Sequence, residues 1–298
     1  MENVIGIDIG GTKVAIGKFN IKGELLNETI IPFKSELSPE KMSDLIFDQI
    51  ENLVDNNTKS LGFGVPGPLK LKEGKMGNPP NLKSWHNFNI IKYFSSKTQL
   101  PFYVENDANA AAVAEHLYNN QEELKNTIYI TISTGIGSGI IINNHLLSGT
   151  NGNAGEIGHT SVDLNSNIKC DTCGQYGCLE NLASGTAIAS ILSTKLNRTI
   201  STLEAFELYR NENKFAIEVI DKAISHIAQA IVTLINLYDT EQIVLGGGVM
   251  KNGDIILPKV IDYVSNHALS DVGKSVIIKK SKFENIGLLG AAALAINN

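Results

Sequence analysis

A strand, a glycine turn and a returning strand occur twice in this chain, and few folds accommodate such a repeat. Residues 4–9 form a short apolar run, Gly10-Gly11-Thr12-Lys13 breaks it, and residues 14–19 resume it before a Lys22-Gly23 turn. The pattern returns over residues 127–133, passes through Thr134-Gly135-Ile136-Gly137-Ser138-Gly139, and continues over residues 140–142 to an Asn143-Asn144 turn. Apolar runs punctuated by glycine and asparagine in this way mark β-hairpins. Two copies of one hairpin predict a duplicated architecture.

The intervening segments supply helices. Residues 38–57 carry Met42, Leu45, Ile46, Gln49, Ile50, Leu53 and Val54 at helical spacing, with Ser38 placed to cap and Pro39 at the first helical position. Residues 61–65 read as a strand ending in Pro66-Gly67-Pro68, and residues 102–105 as another that runs into the alanine-rich segment 108–114. Farther on, Ser201 and Glu204 have capping-box spacing ahead of residues 205–209, a long helix covers residues 214–237, and residues 243–245 form a buried strand ending in Gly246-Gly247-Gly248. Alternating strands and helices point to an α/β fold.

With 298 residues, the chain is long enough for two domains. No low-complexity linker separates them, so the repeated hairpin sets the expected boundary, near residues 112–120. This assigns residues 1–115 to a small N-terminal α/β domain and 116–286 to a larger one with a cysteine-rich insertion. By analogy with related duplicated folds, the terminal helix, 287–298, rejoins the first domain.

Charge narrows the partners. Lys and Arg total 25 against 31 Asp and Glu, a net charge of -6, which argues against a surface that neutralises nucleic acid or anionic lipid. The apolar run 286–296 is short of the roughly 18 to 20 residues that span a bilayer, so it reads as a buried helix. The amino terminus has no basic segment and no small-residue cleavage site, which gives a cytoplasmic expectation. In a reducing compartment three cysteines confined to residues 170–178 suggest a metal more than a disulfide.

Three stretches carry chemistry. In Asp8-Ile9-Gly10-Gly11-Thr12-Lys13 an acid ends a buried strand, and the turn offers backbone N–H groups, the Thr12 hydroxyl and the Lys13 charge to a phosphate; an ordinary hairpin turn reads the same way in isolation. The second turn, with Thr134 and Gly135, and the triple glycine Gly246, Gly247 and Gly248 shift the balance, because three glycine-dense strand ends suit a nucleotide held in a cleft. Two other phosphate motifs fail: Gly273-Lys274-Ser275 has Ala268 where a Walker A loop needs glycine, and Gly135-x-Gly137-x-Gly139 is followed by β-rich residues instead of a helix.

Glu105-Asn106-Asp107-Ala108-Asn109-Ala110 places polar groups where a strand gives way to a helix. Asp107 there is either a helix N-cap or a general base that takes a proton from a hydroxyl attacking phosphorus, and spacing alone allows both. Glu156-Ile157-Gly158-His159 precedes Cys170-x-x-Cys173-Gly174, Cys178 and Glu180. The cysteine pair forms a knuckle, Cys178 a third sulfur and His159 a nitrogen, which together make a closed, structural Cys3His zinc site; three free thiols beside a cleft histidine are the plainer alternative. Glu156 and Glu180 flank it, and rigidly presented acids suit sugar hydroxyls.

Together these residues resemble the ROK family (repressor, open reading frame, kinase), across essentially the whole chain. The likeness rests on residues 8–13, 105–112, 134–139, 156–159, 174–180 and 246–248. It implies a duplicated actin/hexokinase-like (ribonuclease H-like) two-domain α/β fold with an interdomain cleft, and ATP-dependent phosphorylation of a hexose, normally at O6. By resemblance Asp107 is the catalytic base, and Asn81, Asn106, Glu156, His159 and Glu180 hold the sugar. Asp8, Gly10, Gly11, Thr12 and Lys13 line the phosphate side, Thr134 and Gly135 approach the ATP phosphates, and Gly246, Gly247 and Gly248 border the adenosine. Magnesium accompanies the ATP, structural zinc sits on His159, Cys170, Cys173 and Cys178, and a homodimer is the expected assembly. Family members commonly have one residue between the first two cysteines; here there are two, a departure that bears on Cys170.

Asn78-Pro79-Pro80-Asn81-Leu82-x-x-Trp85 and residues 105–112 look like the glucokinase members, which makes glucose the first expectation, with N-acetylmannosamine, mannose and fructose as alternatives. The family also contains sugar-responsive repressors with a DNA-binding segment ahead of the kinase-like body. Here the first hairpin begins at Val4, which disfavours a repressor, and an intact Asp107 with an intact phosphate hairpin disfavours a non-catalytic sensor, so the expected order is kinase, sensor, repressor.

Overall fold

The computed structural model describes residues 2–79, 82–119 and 124–297. In the first half β1 (Asn3–Ile9), β2 (Lys13–Asn20) and β3 (Leu25–Pro32) form a meander, followed by α1 (Pro39–Leu53) and β4 (Thr58–Val65). A short hairpin, β5 (Leu69–Lys70) with β6 (Lys75–Met76), then leads to α2 (Ile90–Ser95), β7 (Phe102–Asn106) and α3 (Asp107–Tyr118). The second half repeats the order with β8 (Thr127–Ile132), β9 (Ile136–Ile142) and β10 (His145–Leu146), then α4 (Leu179–Ala183), α5 (Gly185–Leu196), α6 (Thr202–Arg210) and α7 (Lys214–Tyr238). It closes with β11 (Gln242–Gly246), α8 (Gly253–His267), α9 (Asp271–Lys274), β12 (Ile277–Lys280) and α10 (Ile286–Ile296).

The duplication is complete at the level of sheets. One sheet has the order β3-β2-β1-β4-β7 and the other β10-β9-β8-β11-β12. In each, the first three strands run antiparallel and the last three parallel. The turns that close the repeated hairpins follow their residues: Asn143 and Asn144 both take positive φ, 51° and 65°, and Gly23 takes 78°.

Two helices tie the sheets together. Although α3 leaves the end of β7, it packs across β8 and β9, whereas α10, which follows β12, lies on β1 and β4. Alanine and glycine make this possible. At Gly290 an added Cβ would stand 2.6 Å from the Ala110 carbonyl carbon, and at Gly62, 1.8 Å from the Ala291 carbonyl oxygen. Gly6 pairs with Gly62 across β1 and β4, and its own Cβ would meet Ala292 N at 2.7 Å, so α10 rests on a floor of bare backbone. We expect Gly62→Ala to destabilise the fold by at least about 3 kcal/mol, at the upper end of overpacking costs. Urea unfolding checks this.

Some boundaries depart from the sequence pattern. The helix expected over 38–57 ends at Leu53, because Val54 turns extended (ψ 134°) while its N–H still bonds Ile50 O. Met42, Ile46, Ile50 and Leu53 are buried, whereas Leu45 and Val54, counted in the apolar stripe, are exposed. The second glycine turn is shorter than its glycines suggest: β9 starts at Ile136, and Gly137 and Gly139 pair with Thr131 and Tyr129 inside the sheet. Gly139 is bare because α3 crosses it, with Ala112 Cβ 2.5 Å from the position of a Cβ there. Among the described residues no helix is long and apolar enough to cross a membrane, and the apolar run expected to be a buried helix is α10.

Candidate active site

The ends of β1, β7 and β8 bring three of the sequence-predicted stretches to one cleft. β7 passes directly into α3, and the cap of that helix is Asn106: its Oδ1 accepts from Ala108 N at 2.9 Å and Asn109 N at 3.3 Å. Capping therefore falls to Asn106, and Asp107 is the first residue of the helix, with Oδ1 accepting from Ala108 N at 2.8 Å. Asn106 keeps its Nδ2 for the cleft, where it lies against Gly67; a Cβ at Gly67 would stand 2.8 Å from it and 3.8 Å from Glu156 Oε1. Behind them Glu105 is buried and braces the turn, accepting from Asn106 N at 2.8 Å and Asn109 Nδ2 at 3.1 Å.

Asp107 is solvent-exposed, yet enough protein surrounds it to disfavour its charged form. Burial lifts its pKa to about 6, and the negative charges of Asp8 and Glu156 push the same way. Water in the open cleft softens the burial effect without reversing it, since both neighbours repel a third negative charge. Asp8 is likewise lifted to about 6 by burial, against the opposing pull of Lys13. Glu156 is raised by burial and by Glu180, and lowered by His159. Three carboxylates thus face one space, the kind of electrostatic strain that marks functional sites.

The phosphate side is built from the two hairpin turns. Gly10 N bonds Lys13 O at 2.9 Å, and Gly11, Thr12 and Lys13 are exposed at the end of the β1–β2 hairpin. Asp8 and Lys13 share a cavity of about 200 Å³ with Glu284 and Gly287. Thr134 and Gly135 occupy the turn between β8 and β9, with Thr134 exposed. The triple glycine divides by role: Gly247 takes φ 87° beneath Ile132, Gly246 lies under the Tyr129 ring, and only Gly248 faces open space, with Ser133 Oγ 3.7 Å from where its Cβ would be. All three line a cavity of about 780 Å³ with Lys251, Lys280 and Lys282.

The cysteine stretch folds as a knuckle, with Cys170 N bonding Gln175 O at 2.7 Å and Gly174 N bonding Cys170 O at 2.9 Å. His159, Cys170, Cys173 and Cys178 offer donor atoms that all lie within 4.8 Å of one another. Cys170 Sγ lies 3.7 Å from His159 Nδ1, and Cys173 Sγ lies 3.4 Å from Cys178 Sγ. Three thiols and one imidazole gathered in this way offer the donor set of a tetrahedral zinc site, and the two-residue spacing does not keep Cys170 out of the cluster. Cys178 stands at the N-cap position of α4, which carries Glu180, while His159 lies one short turn from Glu156.

Asn81 lies outside the described residues. Sequence reasoning passed over Gly67 and Gly287. The first was read as punctuation after β4 and the second as part of an apolar run, yet a Cβ at Gly287 would stand 2.5 Å from Asp8 Oδ2. A glycine interrupting a strongly apolar helix start was the available signal.

The chain is similar to known proteins over nearly its whole length. The chain is 30% identical to a glucokinase of Halalkalibacterium halodurans, over 97% of this chain and 94% of that one. It is also 30% identical to a xylose repressor of Caldicellulosiruptor bescii, over 99% of this chain but 78% of the repressor. A ROK family glucokinase from Streptomyces griseus, solved in complex with glucose and AMPPNP, superposes with a TM-score of 0.81 at 26% identity, covering 99% of this chain and 100% of that one. The sequence profile of the ROK family runs from residue 4 to 298, the span over which the duplicated actin/hexokinase-like α/β fold and its cleft are assembled, and the chain belongs to that family.

Proposed function

We propose that the protein transfers a phosphoryl group from ATP to the 6-hydroxyl of a hexose, with glucose as the preferred acceptor. The reading rests on Asp107: a carboxylate at a helix start, in a cleft, flanked by Asp8 and Glu156 and lifted to about 6, has the proton affinity a general base needs near neutral pH. The sugar hydroxyl gives its proton to Asp107 as its oxygen attacks the terminal phosphorus. Asn106 Nδ2, Glu156, Glu180 and the free ring nitrogen of His159 hold the remaining hydroxyls.

Asp8 is a buried carboxylate on the phosphate side whose charge Lys13 offsets only in part, a donor that fits a hard divalent cation, and magnesium bound with ATP would neutralise phosphate charge there. Thr12, Lys13, Thr134 and Gly135 receive the phosphates, and the open face of Gly248 receives the adenosine. His159, Cys170, Cys173 and Cys178 would hold a structural zinc, which would tie together the segments that carry Glu156 and Glu180. The proposed division into residues 1–115 with 287–298, and residues 116–286, falls within α3, the helix that links the two sheets.

The repressor relative favours a second reading, a sugar-binding regulator without turnover. Release of ADP across glucose, mannose, fructose, N-acetylglucosamine and N-acetylmannosamine separates the two and ranks the acceptors: turnover should be highest with glucose, whereas binding without ADP throughout would favour the regulator. A pH profile adds a further expectation. Because the active form is the carboxylate and its pKa is raised, kcat holds above about pH 6 and falls below it, by about tenfold per unit. A profile flat down to pH 4.5 would remove Asp107 from proton transfer.

A further inference from the structure

Glu180 touches more than the sugar side of the cleft. Ile136, the residue that closes the second phosphate turn, donates its N–H to Glu180 Oε2 at 2.9 Å, across 44 positions of sequence. Gly135 is bare for the same reason: a Cβ there would stand 2.3 Å from that oxygen. Gly158 is squeezed into the same contact, its missing Cβ lying 2.2 Å from Ile136 O and 3.4 Å from Glu180 Cβ. From the other end of the turn, Ser133 O accepts from Gly185 N at 2.8 Å, and Ser133 N bonds Gly135 O at 2.9 Å. Residues 133–136 are therefore gripped at both ends by residues 180–185, which start just beyond Cys178.

A carboxylate has two oxygens and four acceptor sites. Oε2 is committed to the backbone, while Oε1 has no hydrogen-bond partner among the described residues and is not sealed from solvent. From this geometry we infer that Glu180 is a positioning residue for the phosphate turn as well as a sugar ligand, so that occupancy of the sugar site and of the nucleotide site are coupled through one side chain. A sugar hydroxyl on Oε1 fixes the carboxylate, the carboxylate fixes the Ile136 amide, and the turn meets the phosphates already ordered. By reciprocity, nucleotide raises sugar affinity by the same factor. The sugar half rests on the function proposed above; the turn-positioning half does not.

The test uses three full-length variants and no turnover. Glu180→Ala should weaken binding of ADP alone about tenfold, the scale of a lost charge-assisted hydrogen bond, and speed hydrogen exchange over residues 133–137 in the ligand-free protein. Glu180→Gln, whose amide oxygen can still accept from Ile136 N, should restore both while leaving glucose affinity impaired. Gly135→Ala, on the phosphate side, should weaken glucose binding measured without nucleotide. Wild-type exchange and ADP affinity in Glu180→Ala would overturn the positioning role, and unchanged glucose affinity in Gly135→Ala would overturn the coupling. A wild-type protein that binds no hexose would instead overturn the functional reading, with the exchange measurement still deciding the role of Glu180 in the turn.

Discussion

Replacing Asp107 by asparagine should lower kcat by at least about a hundredfold, the lower range for loss of a general base, while glucose affinity changes little. On the proposed reading the two effects separate, because several groups hold the acceptor whereas Asp107 takes the proton. Asparagine keeps the shape and the Oδ1 contact with Ala108 N, so the helix start survives. It also removes one of three carboxylates that repel each other, so the variant should be at least as resistant to thermal unfolding as the parent. The sign follows from the raised pKa: above about pH 6 the ionised group costs stability, and the cost is relieved as pH falls toward its unfolded value. A slow but well-folded, sugar-binding variant is the expected result, checked by initial rates, glucose titration and melting temperature. Near-normal turnover would mean that another group is the base.

The second large effect concerns the cysteine knuckle. Elemental analysis should find about one zinc per chain, as expected of a closed Cys3His site, and Cys173→Ser should lose it. Structural zinc contributes folding free energy directly. Loss should therefore lower the melting temperature and, because Cys178 directly precedes the helix that carries Glu180 and His159 lies one short turn from Glu156, weaken glucose binding by at least about tenfold. Chelation of the parent should reproduce both changes. A metal-free protein of unchanged stability and activity would reduce the cluster to four unliganded side chains.

The legible parts of this molecule are those where a local pattern has one physical cause. The paired hairpins could be read because strand alternation and turn residues recur within a few positions, and the cysteine knuckle because its donors are close in sequence. The identity of the helix cap at β7–α3 could not, since Asn106 and Asp107 are both able caps and only the backbone angle decides. Gly137 and Gly139 look like parts of a phosphate turn, yet Gly139 is a glycine because a helix formed elsewhere lies across it. The return of α10 to the first sheet came only from analogy, and the packing of α3 across the second sheet was not anticipated at all, because alanine runs signal close packing without naming the partner. Glu180 and Ile136 lie too far apart in sequence for any spacing rule to join them.

The account turns on whether a phosphoryl group moves from ATP to a sugar oxygen. Incubation of the zinc-replete protein with ATP, magnesium and glucose, followed by phosphorus NMR, reads this directly. The prediction is one glucose 6-phosphate formed for each ADP, and no product with Asp107→Asn on the same timescale. Glucose that binds while ATP stays intact, or ADP released without a sugar phosphate, would contradict it.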